Sequence, residues 1–247
     1  MTDDIKGQPS LPKRWGWWRL GDIGLCFMLT LFAMIRGYAA VEAAHASDWL
    51  AMANHVITMV AMGIMAVLPV IRGRAIARGE GLAIKVIATV GGYAIIPLAM
   101  LPLTWRPDWL LTISSLGLTA TSAWEIWALL TLRRSFSVFP EARKLVMHGP
   151  YGIVRHPLYA SYLLGYLLIA LPRLSLLAVA ITLAGIAAQI IRARREEAVL
   201  RSVFPEYAEY AERVPAFVPW SPGARRRTAA VAPIPAEHDD ASRRVAA

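Results

Sequence analysis

Apolar residues occur along this chain in long stretches, separated by short segments that carry most of the charges. The first four stretches lie at about 23–45, 52–71, 82–104 and 109–132, and a closer pair follows at 158–171 and 174–191. A helix needs roughly 20 apolar residues to cross a bilayer, and the first four stretches reach that length. The last two are joined by Pro172-Arg173 and predict a helical hairpin. The pattern predicts an all-α polytopic membrane protein of five to six transmembrane helices.

Helical spacing continues beyond the last apolar stretch. Ala193, Glu197, Leu200 and Phe204 recur at intervals typical of one helix face, so we expect the last membrane helix to end at Phe204-Pro205. A short cytoplasmic helix is expected over 206–213, before Val214-Pro215. From residue 221 onward the chain has no apolar periodicity, which predicts a disordered tail.

These features divide the chain into four regions. We expect a cytoplasmic lead-in at 1–20, a four-helix transmembrane region at 21–132 and a disordered tail at 221–247. The region 133–220 contains a loop, the helical hairpin and the cytoplasmic helices, and it carries most of the polar motifs.

Composition and charge agree with a membrane protein. Hydrophobic residues make up 57% of the chain and charged residues 17%, with a mean hydropathy of +0.47. These values are more apolar than those of soluble domains. If six helices cross, 23 of the 26 basic residues lie on one side. The positive-inside rule then places both termini and the loop 133–157 in the cytoplasm. The net charge of +9 is therefore a topology signal, and no nucleic-acid partner is expected.

The sequence lacks the motifs of several common kinds of site. Cys26 is the single cysteine, which excludes a disulfide within the chain. The polar, acidic start is unlike a secretory signal. The histidines show no metal-ligand spacing, and no Gly-x-Gly-x-x-Gly, His-Glu-x-x-His or Gly-x-Ser-x-Gly motif is present. No metal is expected.

The segment 149–159, Gly-Pro-Tyr-Gly-Ile-Val-Arg-His-Pro-Leu-Tyr, opens the predicted hairpin. Pro157 suits the first turn of a helix, which puts Arg155 and His156 at the helix N-terminus. Cations are unfavourable there unless a negative group is present, because the helix dipole already favours anions. A bound carboxylate would fit. Alternatively, Arg155 binds lipid phosphate and His156 caps the local backbone.

A second charged motif, Arg192-x-x-x-Glu196-Glu197, lies at the far end of the hairpin. Arg192 and Glu196 share a helix face and would form an ordinary ion pair if they had no other role. The hairpin, however, returns them to the same membrane surface as Tyr151 and Tyr159. Ionisable groups that face a bundle interior at this depth are candidate functional residues.

The order and spacing of these motifs over roughly 130–220 resemble the isoprenylcysteine carboxyl methyltransferase family and its bacterial relatives, which are membrane enzymes that use S-adenosylmethionine. The segments that carry the resemblance are Arg134-Ser-Phe-Ser137, Lys144-Leu145, Gly149-Pro-Tyr151, Arg155-His-Pro157 with Tyr159, Arg192 with Glu196-Glu197 and Leu200, Phe204, Tyr207, Tyr210, Val214-Pro215 and Pro219. Gly152 and Ala160-Ser161 depart from the family's usual residues, so the pocket floor is expected to differ in shape.

The resemblance implies an S-adenosylmethionine-dependent methyltransferase of the bacterial inner membrane. It implies that the cofactor lies at the cytoplasmic ends of the last helices, beneath a C-terminal helical capping segment, and that a lipophilic acceptor enters from the surrounding membrane lipids. Carboxyl O-methylation of an isoprenylcysteine-like or other isoprenoid substrate is the first expectation. The expected cofactor-binding residues are His148, Gly149, Tyr151, His156, Tyr159, Glu196, Glu197 and Tyr207.

The expected catalytic residues are Arg155, Arg192 and His156. A cationic side chain would position a carboxylate acceptor, with Arg155, Arg192 and then Arg195 as candidates. An amine or thiol acceptor would instead need a base, for which His156 or a glutamate would serve.

Other functions remain open from the sequence. The reaction could be phospholipid N-methylation or methylation of a small thiol. A membrane NADPH-dependent reductase of sterols or polyprenoids is a further alternative, because those enzymes have a comparable closing Tyr…Val-Pro segment. Gly91-Gly92, Pro97 and Pro102 would also suit the broken helix of a small transporter.

Overall fold

The computed structural model describes residues 18–71, 77–78, 82–136 and 141–219. Most of the predicted lead-in, the predicted tail and Ser137 lie outside the described residues. The helices are α1 (Trp18–His45), α2 (Trp49–Ile71), α3 (Leu82–Tyr93), α4 (Ile95–Met100), α5 (Asp108–Leu132), α6 (Pro157–Ala170), α7 (Leu176–Val203) and α8 (Tyr207–Arg213). Short 3-10 turns occur at Arg133–Ser135, Gly149–Gly152 and Leu171–Arg173.

The all-helical prediction is confirmed for this part of the chain, apart from one small antiparallel bridge. That bridge pairs β1 (Ala77–Arg78) with β2 (Glu141–Ala142). In the part of the chain that the structure describes, three segments are long and apolar enough to cross a membrane, namely Cys26–His45 within α1, all of α2, and α7. The chain is thus that of an integral membrane protein. The count of five to six spans stays a prediction.

The prediction of one helix over 82–104 is wrong. The structure divides this stretch into α3 and α4, with a turn at Ala94. Pro97 explains the break, because it has no N–H to donate to Tyr93 and its ring crowds that carbonyl. The second helix ends at Met100, and Leu101 is extended (ψ 146°) as the residue before Pro102 should be.

Side chains from the neighbouring helices satisfy a carbonyl beside this break. The Gly91 carbonyl accepts a hydrogen bond from the Tyr166 hydroxyl at 3.1 Å and another from Gln189 Nε2 at 2.6 Å. A side chain at Gly91 would meet Ala188 Cβ at 3.3 Å, so glycine allows α3 to approach α7 closely. The interrupted helix is therefore held by α6 and α7.

The helices pack in two groups around a gap. In the first group, α1 and α2 form a hairpin, and α2 packs on α5. In the second group, α3 and α4 both pack against α7, and α4 also packs against α6. α5 joins the two groups through its contact with α6. Within the described ranges, α1 and α2 make no extensive contact with α3 or α4. A cavity occupies the space between the groups.

The structure contains a helical hairpin where the sequence predicts one, and its second helix continues beyond the apolar stretch; the cytoplasmic position of this continuation stays a prediction. Pro157 begins α6, and the Ser175 hydroxyl caps α7 by accepting from the Ala178 N–H at 3.1 Å. α7 continues to Val203, directly before Phe204-Pro205, and α8 ends at Arg213. A 28-residue helix is about 42 Å long and exceeds the hydrocarbon thickness of a bilayer. The end of α7 is therefore expected to extend beyond the hydrocarbon region.

Replacing Gly185 by alanine is expected to destabilise the hairpin. A methyl group at Gly185 in α7 would overlap the ring of Tyr166 in α6, and that ring is 1% exposed. Overpacking of this kind costs about 1–3 kcal/mol, so the apparent melting temperature in detergent should fall. Gly63→Ala is the matched control, because nothing lies within 4 Å of the added methyl group. It should leave stability unchanged or raise it by up to about 1 kcal/mol. Equal melting temperatures for the two variants would contradict this packing.

Candidate active site

Arg155, His156 and Glu197 form a compact charged cluster between the start of α6 and the end of α7. Glu197 Oε1 accepts hydrogen bonds from Arg155 Nε at 3.0 Å and lies 2.8 Å from Arg155 Nη2. The same oxygen is 3.0 Å from His156 Nε2. The negative group that the sequence requires beside these cations is thus supplied by the protein itself. A bound carboxylate is not needed to balance Arg155.

The segment after α8 holds this cluster in place. The backbone N–H groups of Arg155 and His156 donate to the carbonyls of Pro215 and Ala216 at 2.8 and 3.0 Å. Arg155 Nη1 also donates to the Ala211 carbonyl at 2.6 Å and the Val214 carbonyl at 2.7 Å. These carbonyls lie at the C-terminus of α8, where a cation is favourable. Arg155 therefore ties α6, α7 and α8 together, and its donors are used by the protein.

A second polar cluster lies one helical turn deeper. The Tyr159 hydroxyl donates to Glu196 Oε2 at 2.7 Å. The guanidinium of Arg192 lies over the Tyr159 ring, with Cζ 5.1 Å from the ring centre. Arg192 Nη1 donates to Gln189 Oε1 at 2.9 Å, and Gln189 donates in turn to Gly91. This series of contacts connects Gly91 in α3 to Glu196 in α7.

Both clusters border one large cavity of about 640 Å³. Clefts of about 300–1,000 Å³ typically hold small organic ligands. The residues predicted for the site that line this cavity are Tyr151, Arg155, His156, Tyr159, Arg192, Glu196 and Tyr207.

Four candidate residues do not line the cavity. His148 and Arg195 have exposed side chains, and Glu197 faces the Arg155-His156 pair. Gly149 has a φ of +61°, and a Cβ atom there would lie 3.2 Å from Thr131 Oγ1, so a turn and a close approach explain this glycine. Their predicted cofactor contacts, and a role of Arg195 in holding the acceptor, stay predictions.

We call α8 and the following residues 214–216 the cap. Tyr207 and Tyr210 of the cap, with Tyr151 of the turn before α6, line one end of the cavity. The Tyr210 hydroxyl donates to the Tyr151 carbonyl at 2.6 Å, which fixes α8 to the turn before α6. The Tyr207 hydroxyl is buried and has no hydrogen-bond partner among the described residues. Burial and the nearby Glu197 charge raise the pKa of Tyr207, so this hydroxyl stays protonated. A buried hydroxyl without a partner is costly and calls for an explanation.

Sequence reasoning did not single out Glu125 in α5 or Tyr162 in α6. Both side chains line the cavity and lie close enough to interact, and the Tyr162 hydroxyl donates to Met65 Sδ at 3.7 Å. Both occur inside apolar stretches and belong to no recognised motif. The available signal was the carboxylate itself, since an acidic residue in the middle of a predicted membrane helix marks a functional position.

The described residues contain no group of three or more His, Cys, Asp or Glu side chains that could hold a metal ion.

The family comparison covers α5, α6, α7 and the start of α8. Residues 109–207 match the family model described as phospholipid methyltransferase. The chain is 36% identical over 120 residues to protein-S-isoprenylcysteine O-methyltransferase B of Arabidopsis thaliana, across 44% of this chain and 60% of the relative.

Two bacterial relatives have names that refer to metal resistance. The cobalt-zinc-cadmium resistance protein CzcN of Cupriavidus metallidurans is 37% identical over 120 residues, across 47% of this chain and 52% of the relative. The nickel-cobalt-cadmium resistance protein NccN of Alcaligenes xylosoxydans xylosoxydans is 35% identical over 122 residues, across 47% and 53%. The chain spans about half the length of the curated relatives that it matches.

Proposed function

We propose that the protein transfers a methyl group from S-adenosylmethionine to a lipophilic acceptor. Residues 109–207 match the phospholipid methyltransferase family model, and the chain is similar to an isoprenylcysteine O-methyltransferase, which supports this proposal. One observation carries the proposal. The partnerless Tyr207 hydroxyl and the Glu196 carboxylate line the same cavity end as the rings of Tyr151 and Tyr159.

The residues at this end suit the cofactor. Glu196 is an acceptor for ribose hydroxyls, and the tyrosine rings offer faces for the adenine and for the positive sulfur. Tyr207 gains a hydrogen-bond partner when a polar ligand is present, which explains its unsatisfied hydroxyl. When bound, S-adenosylmethionine supplies a methyl group activated by a positively charged sulfur.

We propose different roles for the two adjacent glutamates. Glu196 lines the cavity and contacts the cofactor, whereas Glu197 is a positioning residue that holds Arg155 and His156 against the cap. The cap excludes water from the cavity end, and methyl transfer needs orientation and desolvation more than acid–base assistance.

Carboxyl O-methylation of an isoprenylcysteine-like or other isoprenoid acid is our first proposal for the reaction. Arg192 is the cation best placed to hold an acceptor carboxylate, because it is buried and lines the cavity. The donors of Arg155 are engaged by Glu197 and two carbonyls, and Arg195 is exposed. The gap between α1–α2 and α3–α4 gives an apolar acceptor a lateral path from the bilayer.

Glu125 supports a second candidate, N-methylation of a phospholipid or another lipophilic amine. Its carboxylate lines the cavity beside Tyr162 and would hold an ammonium or hydroxyl donor. A screen of matched lipophilic acids and amines separates the two reactions. Nothing in the site or the relatives favours the reductase or the transporter.

We further propose that the enzyme lies in the bacterial inner membrane, with both termini and the cap in the cytoplasm. The distribution of basic residues supports this orientation, and S-adenosylmethionine would then reach the site from the cytosol.

Replacing Tyr207 by phenylalanine tests the proposed site. We expect calorimetric titration of purified wild-type protein to give saturable binding of S-adenosylmethionine and S-adenosylhomocysteine. In Tyr207→Phe the affinity should fall by about tenfold while the melting temperature is unchanged or raised, because the lost hydroxyl has no hydrogen-bond partner within the described ranges.

Tyr210→Phe is the matched control. It removes the 2.6 Å hydrogen bond to the Tyr151 carbonyl, so it should lower stability by about 1 kcal/mol. Absence of binding by folded wild-type protein would refute the methyltransferase assignment. Unchanged affinity in Tyr207→Phe would remove Tyr207 from the site.

A further inference from the structure

The end of the cavity opposite the cap is lined by two arginines, Arg36 and Arg173. Arg36 lies within the apolar segment Cys26–His45 of α1, and Arg173 lies in the turn between α6 and α7. Ionisable side chains inside membrane segments are rare and mark ligand or ion sites. Neither arginine belongs to a motif or contacts the proposed methyl-transfer end.

The contacts of these two side chains leave their charge uncompensated. Arg36 Nη1 lies 3.0 Å from His55 Nδ1. A guanidinium can only donate, so His55 accepts with a lone pair and contributes no negative charge. Arg173 donates from Nε to the Leu101 carbonyl at 3.1 Å and from Nη1 to the Ile169 carbonyl at 3.0 Å. In the described ranges, no carboxylate forms a salt bridge with either arginine.

The two cations also repel each other. Arg173 is close enough to act electrostatically on Arg36, and both groups are partly removed from solvent. Like charges in a low-dielectric environment are costly unless a counter-charge joins them. An anion between the two guanidinium groups would supply that counter-charge, and planar guanidinium groups bind carboxylates and phosphates well.

The surroundings indicate what kind of anion fits. The cavity wall next to Arg36 is apolar and includes Phe32, Ile35, Ile96, Ala99 and Met100. Within the described ranges α1 makes no extensive contact with α4, so a ligand chain could reach this wall from the bilayer. A small inorganic anion would leave the apolar wall without a partner, whereas an amphiphile fills both parts.

We propose that Arg36 and Arg173 form a binding site for the anionic headgroup of a lipophilic ligand whose chain lies in the apolar part of the cavity. The 14 residues of α6 separate this site from His156 by about 21 Å. Because of this distance, the anionic group bound by the two arginines differs from the group that is methylated at the cap. It belongs either to the opposite end of an extended acceptor or to an anionic membrane phospholipid.

The site can be tested by native mass spectrometry of full-length protein in a neutral detergent, without S-adenosylmethionine. The probes are palmitate, dioleoylphosphatidylglycerol and uncharged hexadecanol. We expect saturable binding of one anionic probe, and about a tenfold weaker affinity in Arg36→Gln and in Arg173→Gln. Arg106→Gln is the matched control, since it removes an exposed charge that does not line the cavity.

The two anionic probes distinguish the two sources of the headgroup. Preference for palmitate indicates a single-chain acid such as an extended acceptor, and preference for phosphatidylglycerol indicates a membrane lipid. The proposal would be overturned if hexadecanol bound as tightly as both anions. It would also be overturned if Arg36→Gln, Arg173→Gln and Arg106→Gln had equal affinities for the anionic probes. Melting temperatures establish that each variant is folded. The affinity of the same variants for S-adenosylmethionine should match that of the wild type within about twofold. Failure of this site can therefore be distinguished from failure of the methyltransferase assignment.

Discussion

Replacing Glu197 by alanine is expected to abolish measurable binding of S-adenosylmethionine and to lower the melting temperature. Glu197 Oε1 lies within 3.0 Å of both Arg155 and His156, and the two partners of the ion pair are only 14% and 16% exposed. Removing one partner of a largely buried ion pair leaves the other charge uncompensated, at a cost of about 3 kcal/mol. Arg155 also holds the end of α8, so the cap over the cavity should loosen.

Two comparisons give this prediction its controls. Glu209→Ala removes an exposed ion pair with Arg213, 3.5 Å long, and should change stability by less than about 0.5 kcal/mol. Glu197→Gln keeps a hydrogen-bond acceptor for Arg155 and should recover part of the lost affinity. Calorimetry and thermal unfolding measure both quantities. Wild-type affinity in Glu197→Ala would show that the ion-pair cluster does not position the cap.

Replacing Glu196 by glutamine should weaken cofactor binding by about 10- to 100-fold while leaving the melting temperature close to that of the wild type. Glu196 lines the cavity and accepts from the Tyr159 hydroxyl at 2.7 Å, and glutamine retains an oxygen for that bond. The lost negative charge weakens the charge-assisted hydrogen bonds to the ribose, each worth about 1.5–3 kcal/mol. The affinity for S-adenosylhomocysteine should fall in parallel, since both ligands carry the ribose.

The substitutions at the two adjacent glutamates thus distinguish a cofactor-binding role from a positioning role. Glu196→Gln should change affinity without changing stability, and Glu197→Ala should change both. Tyr159→Phe provides a further check, because it leaves the Glu196 carboxylate without its tyrosine donor and should change affinity by less than about tenfold. A large stability loss in Glu196→Gln, with unchanged cofactor affinity, would reverse the assignment of the two residues.

The helices could largely be read from the sequence because membrane helices follow local rules. Long apolar stretches predicted α1, α2 and α5, and the hairpin of α6 and α7 followed from two apolar runs around Pro172-Arg173. Helical spacing and two Pro-containing segments also located the ends of α7 and α8. The interruption at Ala94 was considered only as an alternative, although Pro97 signalled it, because a proline in a membrane helix more often produces a kink than a break.

The candidate site was predictable only in part. The motifs around Arg155 and Glu197 indicated that charges converge at one membrane surface, since a short hairpin returns its two ends to the same side. The partner of each charge was not predictable. Glu196 and Glu197 are neighbours in sequence but project about 100° apart on α7, so one lines the cavity and the other pairs with Arg155.

The amino-acid sequence alone predicts an apolar helical chain, its hairpin, the helical extension of that hairpin and the resemblance of its C-terminal half to a methyltransferase family, because these depend on hydrophobicity, local spacing and order along the chain. The cavity, the unsatisfied Tyr207 hydroxyl, the Glu125–Tyr162 contact and the pair of Arg36 with Arg173 emerge only from the folded chain. They depend on which helices leave a gap between them and on how each helix is rotated. Those properties arise from packing between residues that are distant in sequence, for which no local pattern exists.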